Sequence, residues 1–143
     1  MTVRRILNLK GSDVVTIAPE KKLLDAISLL TKHGIGALIV TGKNSEVMGV
    51  LSERDIVRLL SNKDANRFEN SVSSAMTAPV KSCKPDDTIQ QIMHVMTAGR
   101  FRHMPVVENG RLAGVISIGD VVKLRLEEME RESEHLKEYI ATA

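Results

Sequence analysis

An internal duplication constrains the fold of this chain more than any other feature of its sequence. Residues 15–60 and residues 81–125 carry apolar, proline and turn positions in the same order. Pro19 and Pro85 are 66 residues apart, whereas Gly49 and Gly114 are 65 residues apart. The missing residue falls in a predicted turn, and turns tolerate deletions. The repeat therefore predicts that each copy is one structural unit and that the two copies fold alike.

Both copies predict the element order βαββα. A proline followed by acidic residues is expected to open the first helix of each copy, because proline suits the first helical turn and carboxylates suit its positive end. Continuous apolar runs predict covered strands, and Asn109-Gly110 predicts a tight hairpin. The strands are expected at residues 14–17, 37–40 and 47–51, and again at residues 80–83, 104–107 and 112–116. A closing helix is expected after Ser52 and after Ser117, each followed three positions later by an aspartate, a spacing close to a capping box.

One copy of about 45–50 residues is too small to bury its strands well. The whole chain has 143 residues and 43% hydrophobic content, which is enough for one core. We therefore predict an α/β fold in which two βαββα repeats pack sheet to sheet with pseudo-twofold symmetry, followed by a C-terminal helix. The expected divisions are repeat 1 at 8–61, a polar linker at 62–75, repeat 2 at 76–126 and a helical extension at 127–143.

Composition excludes several function classes. The net charge is only +2 and aromatic residues make up 2% of the chain, so neither a basic stripe nor a stacking platform for nucleic acid is expected. Cys83 is the single cysteine, which rules out an internal disulfide and a multi-thiolate metal site within one chain. No apolar run is long enough for a signal peptide or a membrane span. We expect a cytoplasmic protein with no membrane contact.

A seven-residue motif, Gly-Val-x-Ser-x-x-Asp, occurs in both copies, at residues 49–55 and 114–120. With the apolar strand before it, this duplicated motif resembles the CBS-domain pair, or Bateman module, in its free-standing bacterial form. The resemblance covers about residues 8 to 126. It implies a regulatory module that binds AMP, ADP, ATP, NAD(H) or S-adenosylmethionine between the repeats, modulates a partner protein that the sequence does not identify, and forms a homodimer.

The resemblance implies that Asp55 and Asp120 bind ribose, while Ser52 and Ser117 orient the ligand or cap the helix. A carboxylate accepts two hydrogen bonds from a vicinal diol, and a helix N-terminus offers free N–H groups to an anion. The alternative for each aspartate is an ordinary acidic residue in the first turn of a helix, stabilised by the dipole.

The two half-sites are expected to differ. Arg102 and His103, assisted by Arg100, would supply charge and donors at the Asp120 site, which should hold a compact mononucleotide such as AMP. Gly36 and Ala37 would leave room at the Asp55 site for a longer ligand such as a dinucleotide, and Arg54 would supply the cation there. The alternative is that the cations are solvated and His103 is a satisfied polar residue.

The adenine walls are expected from the first strand of the opposite copy, by the family pattern. This assigns Asp13, Val14 and Val15 to the Asp120 site, and Thr77, Pro79 and Val80 to the Asp55 site. The alternative for the three valines is that they belong only to the core.

Heptad spacing marks the C-terminal segment. It is carried by Val122, Leu126, Met129, Ser133, Leu136 and Ile140. This pattern predicts a long amphipathic helix, which either packs on its own domain or forms a homodimer contact.

Catalytic motifs are absent from the sequence: there is no HExxH, P-loop or GxSxG pattern, and no useful Cys/His spacing. We therefore expect no enzymatic activity and no catalytic cofactor. The alternative to a nucleotide sensor is a dimeric module that docks a protein or nucleic acid without a nucleotide.

Overall fold

In the computed structural model, which describes residues 1–142, each copy of the repeat forms an antiparallel hairpin flanked by helices. This confirms the predicted α/β repeat fold. The helices are α1 (Val3–Lys10), α2 (Leu23–His33), α3 (Glu53–Leu59), α4 (Val72–Ala75), α5 (Ile89–Gly99) and α6 (Ile118–Thr142). The strands are β1 (Thr16–Ile17), β2 (Ala37–Thr41), β3 (Val47–Ser52), β4 (His103–Glu108) and β5 (Arg111–Ser117).

The strands form two small sheets. Repeat 1 has the order β1-β2-β3, with β1 parallel to β2 and β2 antiparallel to β3. Repeat 2 pairs β4 with β5, and its predicted first strand is reduced to a bridge between Cys83 and Val106. Asn109 and Gly110 have φ values of 54° and 75°, as a type I′ hairpin turn requires.

The prolines do not open the helices, so that prediction was wrong. Helix α2 begins at Leu23 and helix α5 at Ile89, each four residues after its proline. The carbonyls of Pro19 and Pro85 instead accept backbone hydrogen bonds at 2.9 and 2.8 Å from outside their repeats. Helix α5 is capped by Thr88, which forms a capping box with Gln91.

Strand alternation shows that both faces of the sheets are covered. Leu38 and Val40 point into the core of repeat 1, while Ile39, on the opposite face of β2, is also buried. In repeat 2, Val106 belongs to the core and Pro105 is buried on the other face of β4. Such two-sided burial is expected where two repeats pack through their sheets.

Helices α1 and α4 exchange places between the repeats, which the sequence reasoning missed. Helix α1 precedes repeat 1 but packs in the core of repeat 2 through Val3 and Ile6. Helix α4 precedes repeat 2 but buries Val72 in the core of repeat 1. The predicted linker 62–75 therefore contains a structural helix as well as polar residues.

Two glycines of the duplicated motif allow α1 and the segment after α4 to lie close to strands β5 and β3. A Cβ at Gly114 would lie 2.5 Å from Cδ2 of Leu7, in the middle of α1. A Cβ at Gly49 would lie 2.7 Å from Sδ of Met76, the residue that follows α4. At Gly49 the backbone carbonyl oxygen of Thr77 would also lie 2.8 Å away, so no side chain fits there, whereas at Gly114 the Leu7 side chain would have to move. The motif glycines thus allow the exchanged segments to pack closely on the hairpins.

Helix α6 extends 25 residues and confirms the predicted C-terminal helix. Val121 and Leu124 are buried against repeat 2, but every residue from Met129 to Thr142 is exposed. The final residue of the predicted extension, 143, lies outside the described part. None of the helices within residues 1–142 is both long and apolar enough to cross a membrane.

Candidate functional site

A cavity of about 550 Å³ lies between the two repeats, around Asp55. Its walls come from the ends of β2, β3 and α3 on one side and from the segments before and after α5 on the other. The lining residues are Gly36, Val50, Ser52, Glu53, Arg54, Asp55, Arg58, Thr77, Pro79, Val80, Lys81, Gly99, Arg100, Phe101, Arg102 and His103.

The Asp55 carboxylate is 4% exposed and is held at the start of α3. Its Oδ2 accepts hydrogen bonds from the backbone N–H and the hydroxyl of Ser52, at 2.9 and 3.1 Å. Its Oδ1 accepts from Arg58 Nη1 at 3.3 Å and from Thr77 Oγ1 at 3.2 Å. The Asp55 N–H donates back to Ser52 Oγ, which completes a capping box. The local sequence thus fixes the carboxylate on the cavity floor.

Cations outnumber carboxylates in the lining, where Arg54, Arg58, Lys81, Arg100 and Arg102 accompany Glu53 and Asp55. Arg54 donates from Nη1 to the carbonyl of Arg100 at 3.2 Å, which ties α3 to the other repeat. Among residues 1–142, no carboxylate oxygen lies within 4.0 Å of the charged groups of Lys81, Arg100 or Arg102. Three positive charges therefore line the cavity without a carboxylate partner, which favours an anion there.

His103 reaches across the cavity from the start of β4. Its Cε1 lies 3.4 Å from the position that a Cβ of Gly36 would occupy. Burial lowers the pKa of His103 below 6.5, and Lys10 and Arg102 lower it further, while Glu53 and Asp120 oppose the shift. The imidazole is therefore disposed to be neutral in the absence of a bound anion.

The Asp120 carboxylate is engaged differently, by Lys10 at the end of α1. Lys10 Nζ donates to Asp120 Oδ2 at 2.8 Å and to the carbonyl of Val115 at 3.1 Å. Burial would raise the pKa of Asp120, but the hydrogen bonds from Lys10 and Ser117 together hold it below 3.8. Ser117 and Asp120 form the reciprocal contacts of a second capping box. A smaller cavity of about 140 Å³ adjoins this pair.

The extra length of α1 explains why the two aspartates differ. Helix α1 spans eight residues and ends at Lys10, whereas α4 spans four and is followed closely by Thr77. Thr77 bonds Asp55 through a short neutral hydroxyl, while Lys10 bonds Asp120 through a cation. Equivalent positions around the pseudo-twofold axis thus carry unlike donors.

A family model for the CBS domain matches residues 3–62 and again residues 72–127. The chain belongs to the CBS domain family. Its two repeats are a tandem CBS pair, and the family match to the first repeat includes α1.

Known proteins resemble this CBS pair along most of its length. The chain is 48% identical to a CBS-domain containing protein from Agrobacterium tumefaciens, whose crystal structure matches with a TM-score of 0.82 over 87% of this chain and 99% of that one. It is 29% identical over 147 residues to the mitochondrial CBS domain-containing protein CBSX3 of Arabidopsis thaliana, covering 97% of this chain and 71% of that protein. The crystal structure of CBSX2 in complex with AMP shares the fold, with 23% identity, a TM-score of 0.76 and coverage of 90% and 98%.

Several residues predicted for the CBS pair's sites gather at the Asp55 cavity. Ser52, Arg54, Gly36, Thr77, Pro79 and Val80 line it together. Arg102 and His103, which the sequence reasoning placed beside Asp120, line this cavity, where His103 projects over Gly36 of the other repeat. Asp120 also lies near enough to His103 to oppose the lowering of its pKa. The role of each in binding a ligand stays a prediction.

Five predicted residues line neither of the two cavities. Ser117 lies next to the smaller cavity without lining it, and its hydroxyl accepts from the N–H of Asp120. Ala37 pairs with Ser52 in the β2–β3 ladder, and the Val15 carbonyl accepts from the N–H of Ile39 at 3.4 Å. Val14 is half-buried and Asp13 is exposed. The Asp120 carboxylate meets Lys10 rather than Asp13, Val14 or Val15 because α1 runs past this end of repeat 2.

The sequence reasoning missed five side chains of the cavity, Val50, Glu53, Arg58, Lys81 and Phe101. Arg58 had a local signal, since it follows Asp55 by one helical turn. Phe101 stands between two arginines that were singled out, and it lies over Gly99, where any Cβ would meet its ring. Lys81 had no signal, because its approach depends on how the repeats pack.

Within residues 1–142, no group of three or more His, Cys, Asp and Glu side chains is arranged to hold a metal ion. Cys83 is buried beside β4, and this burial raises the pKa of its thiol to about 12.

Proposed function

We propose that this CBS pair is a regulatory module that binds an adenine nucleotide in the cavity around Asp55 and modulates a partner protein. One observation carries the proposal: a buried carboxylate and three cations without carboxylate partners line one cavity between the repeats. CBS pairs are binding and regulatory modules. We propose that this one has no catalytic activity of its own.

The cavity offers each group that a nucleotide needs. Asp55 would accept hydrogen bonds from the ribose hydroxyls once Thr77 or Arg58 turns away, since both donors belong to exposed residues. Val50, Pro79 and Val80 supply an apolar wall for the base. The cations at the opposite side would meet the phosphates.

The charge of the cavity favours a ligand with more than one phosphate. A single phosphate cannot approach Lys81, Arg100 and Arg102 together as well as a diphosphate or triphosphate can. We therefore propose ADP, ATP or NAD(H) ahead of AMP, which binds CBSX2. S-adenosylmethionine is disfavoured because its sulfonium is positive. This agrees with the sequence-based expectation of a longer ligand at Asp55.

We propose one nucleotide per chain. A ligand at Asp120 would have to displace the Lys10 ammonium, which already occupies the carboxylate at 2.8 Å. The Asp55 carboxylate meets the Thr77 hydroxyl in the equivalent place. Its own cationic donor, Arg58 at 3.3 Å, is 68% exposed against 36% for Lys10, so we propose that Arg58 yields to a ligand more readily. Because the Asp55 cavity is lined by both repeats, its ligand would bridge them and shift their relative position. We propose that this shift is the signal read by a cytoplasmic partner.

Calorimetric titration and thermal melting test the proposal with AMP, ADP, ATP, NAD, NADH and S-adenosylmethionine. We expect binding with one site per chain, and a stabilisation of ~2.7 kcal/mol at a ligand concentration of 100 Kd. Asp55→Asn should weaken binding at least roughly tenfold, because an amide NH₂ opposes a ribose hydroxyl donor. Asp120→Asn is the matched control and should leave the affinity unchanged.

Arg102→Ala tests the proposed phosphate contacts separately from the proposed ribose contacts. We expect this variant to weaken the binding of ATP more than the binding of adenosine, since only the phosphates of ATP would contact this cation. The proposal fails if none of these compounds binds. It also fails if Asp120→Asn, and not Asp55→Asn, removes binding, because the ligand would then occupy the other cleft.

A further inference from the structure

His103 is a titratable side chain at the boundary between the two repeats. It belongs to β4, where it pairs with Ser117, and its imidazole lines the Asp55 cavity. The position that a Cβ of Gly36 would occupy lies 3.4 Å from His103 Cε1 and 3.2 Å from Glu53 Oε1. Because Gly36 has no side chain, an imidazole from repeat 2 and a carboxylate from repeat 1 enter the same space.

Burial and nearby charges decide the protonation of this imidazole in the free protein. Burial is the largest influence, and it lowers the pKa of His103 below 6.5. Glu53 at the start of α3 and Asp120 in the first turn of α6 favour the protonated ring, whereas Lys10 at the end of α1 and Arg102 directly before β4 oppose it. Within residues 1–142, no carboxylate oxygen lies within 4.0 Å of a His103 ring nitrogen, so no ion pair holds a proton there.

The carboxylates around the ring are unequally neutralised. Asp120 lies 2.8 Å from Lys10, and Asp55 lies 3.3 Å from Arg58. Glu53 has no cationic nitrogen within 4.0 Å among the described residues. The other charged groups that line the cavity are all cations, namely Arg54, Lys81, Arg100 and Arg102. The empty cavity therefore surrounds a neutral imidazole with an excess of positive charge.

A phosphate in the cavity would reverse this balance. Arg102 adjoins His103 in the chain, and both line the cavity together with Lys81 and Arg100. An anion held by these cations offsets the positive charge that opposes protonation, and a negative charge within about 4–6 Å favours the imidazolium. A protonated ring donates from both nitrogens, so it can bond a phosphate oxygen. Its charge would also reduce the repulsion between the phosphate and Glu53.

We propose that His103 takes up a proton from solvent when a nucleotide phosphate binds in the Asp55 cavity, so that this module binds its ligand more tightly at lower pH. The inference rests on the proposed nucleotide site and adds its regulation by pH. A group that is more basic in the complex than in the free protein takes up a proton on binding. The gain in affinity is fully present below the pKa of His103 in the free protein. It is lost as the pH rises through the higher pKa of His103 in the complex.

NMR titration of the histidine ring Cε1–H signals tests the proton uptake directly. The full chain is titrated with and without saturating ATP, in EDTA so that no metal ion bridges the phosphates, and His103→Gln identifies the His103 signal. We expect ATP to move the titration midpoint of His103 to higher pH. The midpoints of His33, His94 and His135 should stay in place, because these residues are exposed and line neither cavity. A His103 midpoint that ATP leaves unchanged or lowers would overturn the proposal.

Calorimetry at pH 6 and pH 8 measures the consequence for affinity. We expect the ratio of the ATP Kd at pH 8 to that at pH 6 to be at least roughly threefold larger for the natural chain than for His103→Gln. Comparing the two proteins removes the contribution of the ATP phosphates, which titrate in the same range. His94→Gln is the matched control, since it removes an exposed histidine and should keep the natural pH dependence. Equal pH dependence in the natural chain and in His103→Gln would refute the coupling.

His103→Lys separates the charge of the ring from its shape. A lysine carries its charge at both pH values, so this variant should bind ATP with a Kd that changes less between pH 6 and pH 8 than that of the natural chain. A His103→Lys protein that keeps the full pH dependence would show that another group takes up the proton, and would overturn the assignment to His103.

The two proposals fail in distinguishable ways. If Asp55→Asn weakens ATP binding but ATP does not move the His103 midpoint, the nucleotide site stands and its proton coupling is wrong. If neither ATP nor NAD binds at pH 6 or at pH 8, the nucleotide site itself is wrong and the coupling falls with it.

Discussion

At the scale of single residues, Arg100 is held in an unfavourable conformation at the edge of the cavity. It follows α5 with φ of 55° and ψ of 38°, in the left-handed region. The equivalent residue after α2 is Gly34, which adopts the same conformation without a side-chain penalty. A non-glycine residue there costs about 1–2 kcal/mol. The arginine therefore weakens the helix end while supplying a cation to the cavity, as strained residues at binding sites often do.

We expect Arg100→Gly to raise the free energy of unfolding by about 0.5–1 kcal/mol, since the relieved strain exceeds the added freedom of the unfolded chain. The same variant should bind ATP more weakly. Arg100→Ala is the control, because it removes the cation but keeps the left-handed backbone, and it should bring no such stabilisation. Urea unfolding followed by circular dichroism, with calorimetry for ATP, measures both effects. An Arg100→Gly protein no more stable than Arg100→Ala would contradict the strain argument.

At the scale of elements, the last turn of α1 decides the environment of Asp120. The Lys10–Asp120 contact is about one quarter exposed on the aspartate side, so solvent screens it in part. Burial raises the pKa of Asp120, but hydrogen bonds from Lys10 and Ser117 together bring it below 3.8. A carboxyl whose pKa is lower in the folded state stabilises the fold above its unfolded pKa. That stability is lost as the pH falls through the lowered value.

We expect Asp120→Asn to lower the free energy of unfolding by about 1 kcal/mol at pH 7, because the ion pair is lost while the amide oxygen still caps α6. The difference from the natural chain should shrink below about pH 4 as Asp120 becomes protonated. Urea unfolding between pH 7 and pH 3 measures it. Asp86→Asn serves as control, since the Asp86 side chain is 85% exposed beside Arg4, and its effect should stay near zero. A difference that persists unchanged at pH 3 would show that the ion pair is not its source.

At the scale of the whole molecule, the exchange of α1 and α4 couples two separate cores. Each core contains a helix that the chain supplies from before the other repeat. Neither repeat therefore completes its core from its own βαββα segment. This coupling leads us to expect one unfolding transition rather than two.

Ile6→Ala should lower the free energy of unfolding by about 2–4 kcal/mol, as buried aliphatic truncations do. Hydrogen exchange under native conditions should show faster exchange in both β2 and β4 by the same factor, although Ile6 contacts only the core of repeat 2. Val72→Ala truncates a side chain in the core of repeat 1. It should likewise speed hydrogen exchange in both β2 and β4 by the same factor. Accelerated exchange confined to one sheet would show that the repeats unfold independently.

The sequence by itself determined the local parts of this protein. Duplication predicted the two hairpins, and the Ser-x-x-Asp spacing predicted both capping boxes, because these contacts join residues a few positions apart. Asn109-Gly110 predicted its turn for the same reason. The heptad pattern predicted α6 as a helix, since periodicity is a property of the sequence alone.

Only the tertiary structure decided where the two repeats place their side chains relative to each other. Lys10 reaches Asp120 across 110 residues, and Thr77 reaches Asp55 across 22, through helices that exchange between cores. Arg102 and His103 line the Asp55 cavity because β4 faces the other repeat there. No local sequence pattern encodes such contacts. Each repeat's own sequence specifies the fold of that repeat, whereas these contacts depend on how the two repeats pack against each other.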